Sequence, residues 1–290
     1  MILPWLDTLI QGVLLGGLYA LYATGLSLIF GIMRLVNLAH GDLIVFAAFL
    51  ILVLASTLGI DSVLALALAV PIMFAAGYAL QALLFNRTLG SDILPPLLVT
   101  FGLSIVVQNG LLEAFSADSR RLPIGDIAGQ SISLGGGIAV GVMPLLSLVA
   151  AVIVVLALNQ LFYRTALGRA LRATSDDSET AQLMGVNNDR VYATAMGIAM
   201  AVCAVAAFFL GSRAQFDPSI GPARLIYAFE AVIIGGLGSL WGTLAGGIVV
   251  GAAQTIGARI NPEWQILSGH IAFLVVLILR PRGFFPRAVD

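Results

Sequence analysis

The sequence predicts an all-α integral membrane protein with about eight membrane segments, two of them broken by glycine-containing stretches. Three observations predict this. Of 290 residues, 60% are hydrophobic and only 10% charged, where an average soluble domain carries about a quarter charged residues. The mean hydropathy is +1.04. The few charges bound long uncharged runs. Such a chain has too little polar surface to cover a water-soluble ball, which argues against a cytosolic enzyme and a disordered chain. A net charge of -1 gives no field to attract nucleic acid.

The runs follow in order. Charge-free stretches separate Asp7 from Arg34, Asp42 from Asp61, Asp61 from Arg87 and Asp92 from Glu113. Further stretches lie between Asp126 and Arg164 (its apolar part near Met143–Phe162), Arg190 and Arg213, Glu230 and Arg259, and Glu263 and Arg280. Most are long enough for a lipid-spanning helix, which needs about 20 apolar residues because lipid offers no replacement for a lost backbone hydrogen bond. No positive residue precedes the first run, so a secretory signal peptide is not expected.

Two stretches are not clean helices. Gly31–Asp42 is too polar for lipid, and Gly235–Gly247 is full of glycine. Interruptions at membrane depth are tolerated where they face protein or a water-filled cavity, and they are the usual sequence pointer to a transport site.

Arginines set the orientation. Arg164, Arg169, Arg172 and Arg190 lie in one connection, and Arg280, Arg282 and Arg287 in the tail. The positive-inside rule puts both in the cytoplasm. Three simple crossings between them would leave the tail on the wrong side. The conflict disappears if the Tyr227–Ala258 region enters and returns as a hairpin of two half-helices. The loop from Phe115 to Gly141 then lies outside, with Arg120 and Arg121 against the rule.

Several chemistries are absent. All 14 basic residues are arginine, so there is no P-loop lysine and no Schiff-base lysine. One cysteine, Cys203, permits no intrachain disulfide and reads as a packing residue. No HExxH, nucleophile–base motif or metal-spaced His/Cys cluster is present, so neither a catalytic nor a metal site is assigned.

The connection Ser175–Gly185 reads as a short capped helix. Asp176 is the expected N-cap, with Glu179 three residues on, Ala181 and Met184 on one face, and Gly185 in the left-handed C-terminal position. A helix this short needs a docking partner or is a solvated loop. Asn37, His40 and Asp42 are the polar group of the first break. They read as caps and packing residues, as substrate contacts, or as a surface segment. Glu230, beside Tyr227, reads as a contact for a substrate ammonium, as a partner of Arg224, or as interfacial. Glu113 reads as interfacial and His270 as a packed neutral residue. Gly238, Gly242 and Gly246 share one face if helical, and Gly12 with Gly16 and Gly247 with Gly251 repeat the spacing. Such faces let helices approach closely, inside the subunit or between subunits.

Glu179-Thr-Ala181-x-x-x-Gly185 resembles the EAA-x-x-x-G loop of ABC importer permeases, with Thr180 in place of the middle Ala. Gly25–Asp42, Gly168–Ala173, Ala231–Gly247 and Arg280–Pro286 resemble, in that order, segments of the permease subunits of high-affinity branched-chain amino acid ABC transporters. The resemblance implies ABC importer permease architecture, with 1–290 as one transmembrane permease domain, 163–190 its cytoplasmic coupling loop and 115–141 its extracytoplasmic loop. It implies a multi-pass subunit of the bacterial inner membrane. A second permease subunit, two ATP-binding subunits that hold ATP and Mg, and an extracytoplasmic solute-binding protein would be its partners. No cofactor is expected in this chain. Relatives with this pattern also resemble permeases for urea, short amides and other amino acids. The main rival is a stand-alone carrier coupling ions through Asp42, Glu113 or Glu230; an intramembrane enzyme is more distant.

Overall fold

A computed structural model describes residues 2–90, 94–135 and 137–285. Asp92, Pro286 and Arg287, named above, lie outside the described residues. The eight charge-free runs become eight helices: α1 (Ile2–Met33), α2 (His40–Leu58), α3 (Ser62–Leu83), α4 (Leu94–Phe115), α5 (Val142–Arg164), α8 (Asn188–Arg213), α10 (Leu240–Ile260) and α11 (Trp264–Leu279). Seven are long and apolar enough to cross a membrane, and α11 is a shorter apolar helix. Two short helices, α6 (Ala166–Asp176) and α7 (Ser178–Leu183), fill the arginine-rich connection. The remaining helix, α9 (Gly221–Gly235), carries Arg224 and Glu230 and therefore leaves no uncharged run.

The centre of the bundle is α1, most of whose spanning stretch is buried, packed against α10, with α5, α8 and α9 beside it, and α2 and α3 outside α8. The α1–α10 seam is built from the paired small-residue motifs. A Cβ on Gly16 would meet the Ile248 backbone, one on Gly247 would meet Gly16 and Ala20, and one on Gly251 would meet Gly12 and Gly16. Two backbones approach this closely only where side chains are absent.

The chain runs to and fro between two ends. The arginine-rich end gathers Arg34, α6 and α7, and the turn between α9 and α10. The opposite end is closed by residues 116–141, which include a hairpin of β1 (Ser131–Gly135) and β2 (Ile138–Gly141). That hairpin has no counterpart in the expectations. Its segment is tied to the bundle by Ser62 Oγ, which donates to Pro123 O at 2.6 Å, and by a two-way backbone pair between Arg120 and Phe216 at 2.8 Å.

The expected hairpin forms, with a correction. Its turn is Gly236–Ser239, where Gly238 has φ +80. Ser239 caps α10 by accepting from Gly242 N at 3.1 Å. One arm, α9, has 15 residues, but the other, α10, has 21 and is a full-length helix. A 15-residue helix rises only about 22 Å, so one half-helix suffices to return the tail to the arginine-rich end. The glycine triplet is not one face. Gly238 sits in the turn against Gly31, while Gly242 and Gly246 pack on Gly235 and Ala231 of α9. A tail segment finishes the foot of α9: Phe284 N donates to Ile234 O at 2.9 Å and Phe285 N to Gly235 O at 3.0 Å. These carbonyls belong to the last turn of a helix, which has no partners of its own.

Candidate functional site

Two helices begin at mid-depth. After Arg34, at φ +54, the chain turns back into the bundle, and α2 starts where His40 Nε2 meets Tyr22 O of α1 at 2.8 Å. Tyr22 lies roughly 16 Å from the arginine-rich end of α1 by helix rise. From the opposite side the chain after α8 dips in, and α9 starts at Gly221, in backbone contact with Gly41. A Cβ on Gly221 would strike the Asp42 carboxylate. The starts of two interrupted segments thus abut inside the bundle.

The first break is closed by polar groups with partners. Asn37 Oδ1 accepts from Ala39 N at 3.0 Å, as a turn cap. Asp42 is not a cap. Its Oδ2 accepts from Ser104 Oγ at 2.6 Å and its Oδ1 from Gln108 Nε2 at 2.9 Å, both on α4. His40 is fully buried, with Cys203 Sγ at 3.8 Å from Nδ1. Asn37, His40 and Asp42 therefore sit in the interior, and the reading of this segment as a surface is overturned.

Around α9 lies a second polar cluster. Arg224, Tyr227 and Glu230 recur at three-residue spacing, on one side of the helix. Glu230 is 3% exposed. It pairs with His270 Nδ1 of α11, not with Arg224, so His270 is a partner rather than a solitary packing residue. Tyr227 stacks on Tyr19 at 4.9 Å between ring centroids and faces His270 at 6.5 Å. Tyr19 OH donates to Gln254 Oε1 at 2.6 Å. Arg213 and Arg224 lie within Coulombic reach of both Tyr19 and Tyr22. Sequence reasoning singled out Tyr227 and Glu230 but missed Tyr19, Tyr22, Arg213 and Gln254. The available signal was Gln254, the one side-chain amide in the uncharged run between Glu230 and Arg259. Glu113, near the end of α4, is exposed, consistent with an interfacial place.

At the arginine-rich end the expected capped helix is split. α6 extends to Asp176, and Asp177 is the N-cap of α7, accepting from Glu179 N and Thr180 N at 3.0 Å each. The Thr180 hydroxyl and amide hold the Asp177 carboxyl below the usual carboxylate range. Gly185 does adopt the left-handed conformation, φ +88. Ala181 and Met184 do not share a face. Ala181 is buried, whereas Met184, past the helix end, is 80% exposed beside Leu183 at 87%. Thr174 Oγ1 bonds Asn188 Oδ1 at 3.2 Å, and Ser175 Oγ bonds Gly31 O at 2.6 Å, so this segment is seated on α8 and on α1. A cavity of about 980 Å³ opens here, lined by Arg34, Asn86, Ser175, Asp176, Glu179 and Asn188 among others. Among the described residues, no three His, Cys, Asp or Glu side chains come together as a metal site.

Apolar helices that enclose abutting helix starts and ionisable side chains at mid-depth define a polytopic membrane transport protein. Comparison with known proteins narrows this. The sequence matches the family described as "Branched-chain amino acid transport system / permease component" over residues 8–279, and the chain belongs to that family. It is 31% identical to the high-affinity branched-chain amino acid transport system permease protein BraD of Pseudomonas aeruginosa, covering 98% of this chain and 96% of BraD. It is 30% identical to the corresponding permease protein LivH of Salmonella typhimurium, with the same coverage. Among solved structures it is similar to PsaBC from Streptococcus pneumoniae in complex with Fab, with a TM-score of 0.51, 15% identity and 97% of each chain covered. That last likeness concerns the fold alone.

Proposed function

We propose that this chain is the transmembrane permease subunit of an ATP-driven importer of branched-chain or related small amino acids, handed over by an extracytoplasmic binding protein in a bacterial inner membrane. The observation that carries the reading is end-to-end similarity to BraD and LivH, without large gaps in coverage. In this reading the arginine-rich end is cytoplasmic and residues 115–141 face outward. Two ATPase subunits, which hold ATP and Mg, grip α7 of this chain and its equivalent in a second permease. Positive charge concentrated at one end supports the orientation. The exposed Leu183 and Met184 at the tip of a six-residue helix support the grip, since so short a helix is marginal in water. Asp176, Glu179, Ala181 and Gly185 then hold the shape of the knob, and Met184 touches the partner.

Reconstitution tests this. Proteoliposomes holding the permease pair, the ATPases and the loaded binding protein accumulate leucine only with ATP. Uphill uptake by this chain alone, driven by a proton gradient, would overturn the reading in favour of a stand-alone carrier. Gly185→Trp, forced into a left-handed backbone that L residues avoid by roughly 1–2 kcal/mol, abolishes uptake while capture of leucine by the binding protein is unaffected. Normal uptake in that variant removes the role of α7.

A further inference from the structure

Eight buried side-chain polar atoms lack a hydrogen-bond partner among the described residues, and five of them, on Tyr22, Arg213, Arg224, Glu230 and Gln254, belong to one cluster. Buried polar groups are almost always paired, so a concentration of unpaired ones calls for a physical reason. Gln254 and Glu230 are joined by a chain of the contacts given above, and Tyr22 lies beside Tyr19 at 6.2 Å between ring centroids. Gln254 is bonded to Tyr19, Tyr19 stacks on Tyr227, and Glu230 is reached through His270. Both arginines lie within Coulombic reach of Tyr19 and Tyr22. Neither arginine has a carboxylate partner among the described residues. Buried cationic atoms without a partner are costly, and they mark places that can receive a charge.

The open atoms differ in kind. Arg213 Nη1, Arg224 Nε and Gln254 Nε2 can only donate, Glu230 Oε2 accepts, and Tyr22 OH can do either. Three of these side chains, Tyr22, Glu230 and Gln254, are at most 3% exposed. Arg224 and Glu230 are six residues apart on α9, a rise of about 9 Å. An α-amino acid head with a hydrogen bond at each end spans about 8 Å.

We propose that Tyr22, Arg213, Arg224, Glu230 and Gln254 form an intramembrane recognition point for the zwitterionic head of an α-amino acid, the two arginines and Gln254 taking the carboxylate and Glu230 the ammonium. The inference rests on the permease reading and deepens it. Because it reads only the shared head group, the site is indifferent to the side chain, and choice among amino acids is left to the binding protein. Stacked tyrosine rings beside it offer apolar wall to whatever side chain follows.

The test uses the complete importer in proteoliposomes, with leucine uptake and ATP hydrolysis measured on the same sample. Arg224→Gln and Glu230→Gln each lower leucine imported per ATP about tenfold or more, the worth of a charge-assisted hydrogen bond. Valine, carried by the same binding protein, falls by the same factor. An unchanged ratio in both variants, or a loss confined to one of the two amino acids, overturns the proposal. Assembly is checked by gel filtration. If Glu230→Gln does not assemble, Glu230→Asp keeps the charge and withdraws it by one methylene. It lowers the ratio severalfold if the proposal holds, and an unchanged ratio overturns it. Wild-type vesicles that import nothing overturn the permease reading itself. Wild-type and variant vesicles that import equally overturn only the recognition point.

Discussion

The start of α2 and the start of α9 lie at the same depth and touch, yet their surroundings are finished differently. Around α2, Asn37 bonds its own turn, His40 bonds a carbonyl of α1, and both oxygens of Asp42 are taken by α4. Of these three side chains, only Asn37 keeps a buried atom, Nδ2, without a partner among the described residues. Around α9, five side chains each keep an open atom. In a low-dielectric interior a satisfied network fixes geometry, whereas an unsatisfied one keeps binding capacity in reserve. The α2 side therefore reads as a joint, and the α9 side as the place where something passes.

That contrast can be broken by mutation. The largest effect is expected from Asp42→Leu, which orphans Ser104 and Gln108 and crowds Gly221, destabilising the subunit by about 2–6 kcal/mol. Thermal unfolding in detergent measures it, with Glu230→Gln as the comparison. If Glu230→Gln costs as much as Asp42→Leu, the two sides do not differ. Next comes Gly41→Ala, whose methyl would press into Gly221 O and the Leu225 amide. Overpacking of this kind costs about 1–3 kcal/mol. A melting point equal to wild type would show that the two helix starts are free to part.

The smallest effect is expected outside the lipid, at Asp177. Its folded pKa is lowered, so the stability it lends α7 is fully present above the ordinary carboxylate pKa of about 3.9. That stability is lost as pH falls through the lower folded value. Hydrogen exchange at the Glu179 and Thr180 amides, corrected for intrinsic rate, stays flat from about pH 5 to 8 and rises below about pH 4. Asp177→Ala raises it throughout. A rise in the wild type near pH 6 would contradict the assignment of the cap.

Much of this fold was legible in the sequence, because lipid imposes long uncharged runs and each run became a helix. The start of α9 was hidden for the same reason, although its part from Tyr227 was expected as one arm of the hairpin. A half-helix buried in protein tolerates Arg224 and Glu230, and those two charges erased its hydropathy signal. The small-residue spacing gave the α1–α10 seam its glycines but not their pairing, since which faces meet is settled by tertiary packing. Two adjacent aspartates, Asp176 and Asp177, fit a capping pattern nearly equally. The structure chose the second because α6 continues through the first. The partners of Asp42 and Glu230 lie some forty or more residues away, beyond any local pattern.

The two backbone bonds from Phe284 and Phe285 to the foot of α9 carry a further consequence. The ribosome delivers the donors well after their acceptors, once α10 and α11 have been threaded. A nascent chain interrupted at Leu279 would own every crossing and still lack the clasp on α9. Such a product would be fully inserted yet frayed at its arginine-rich end.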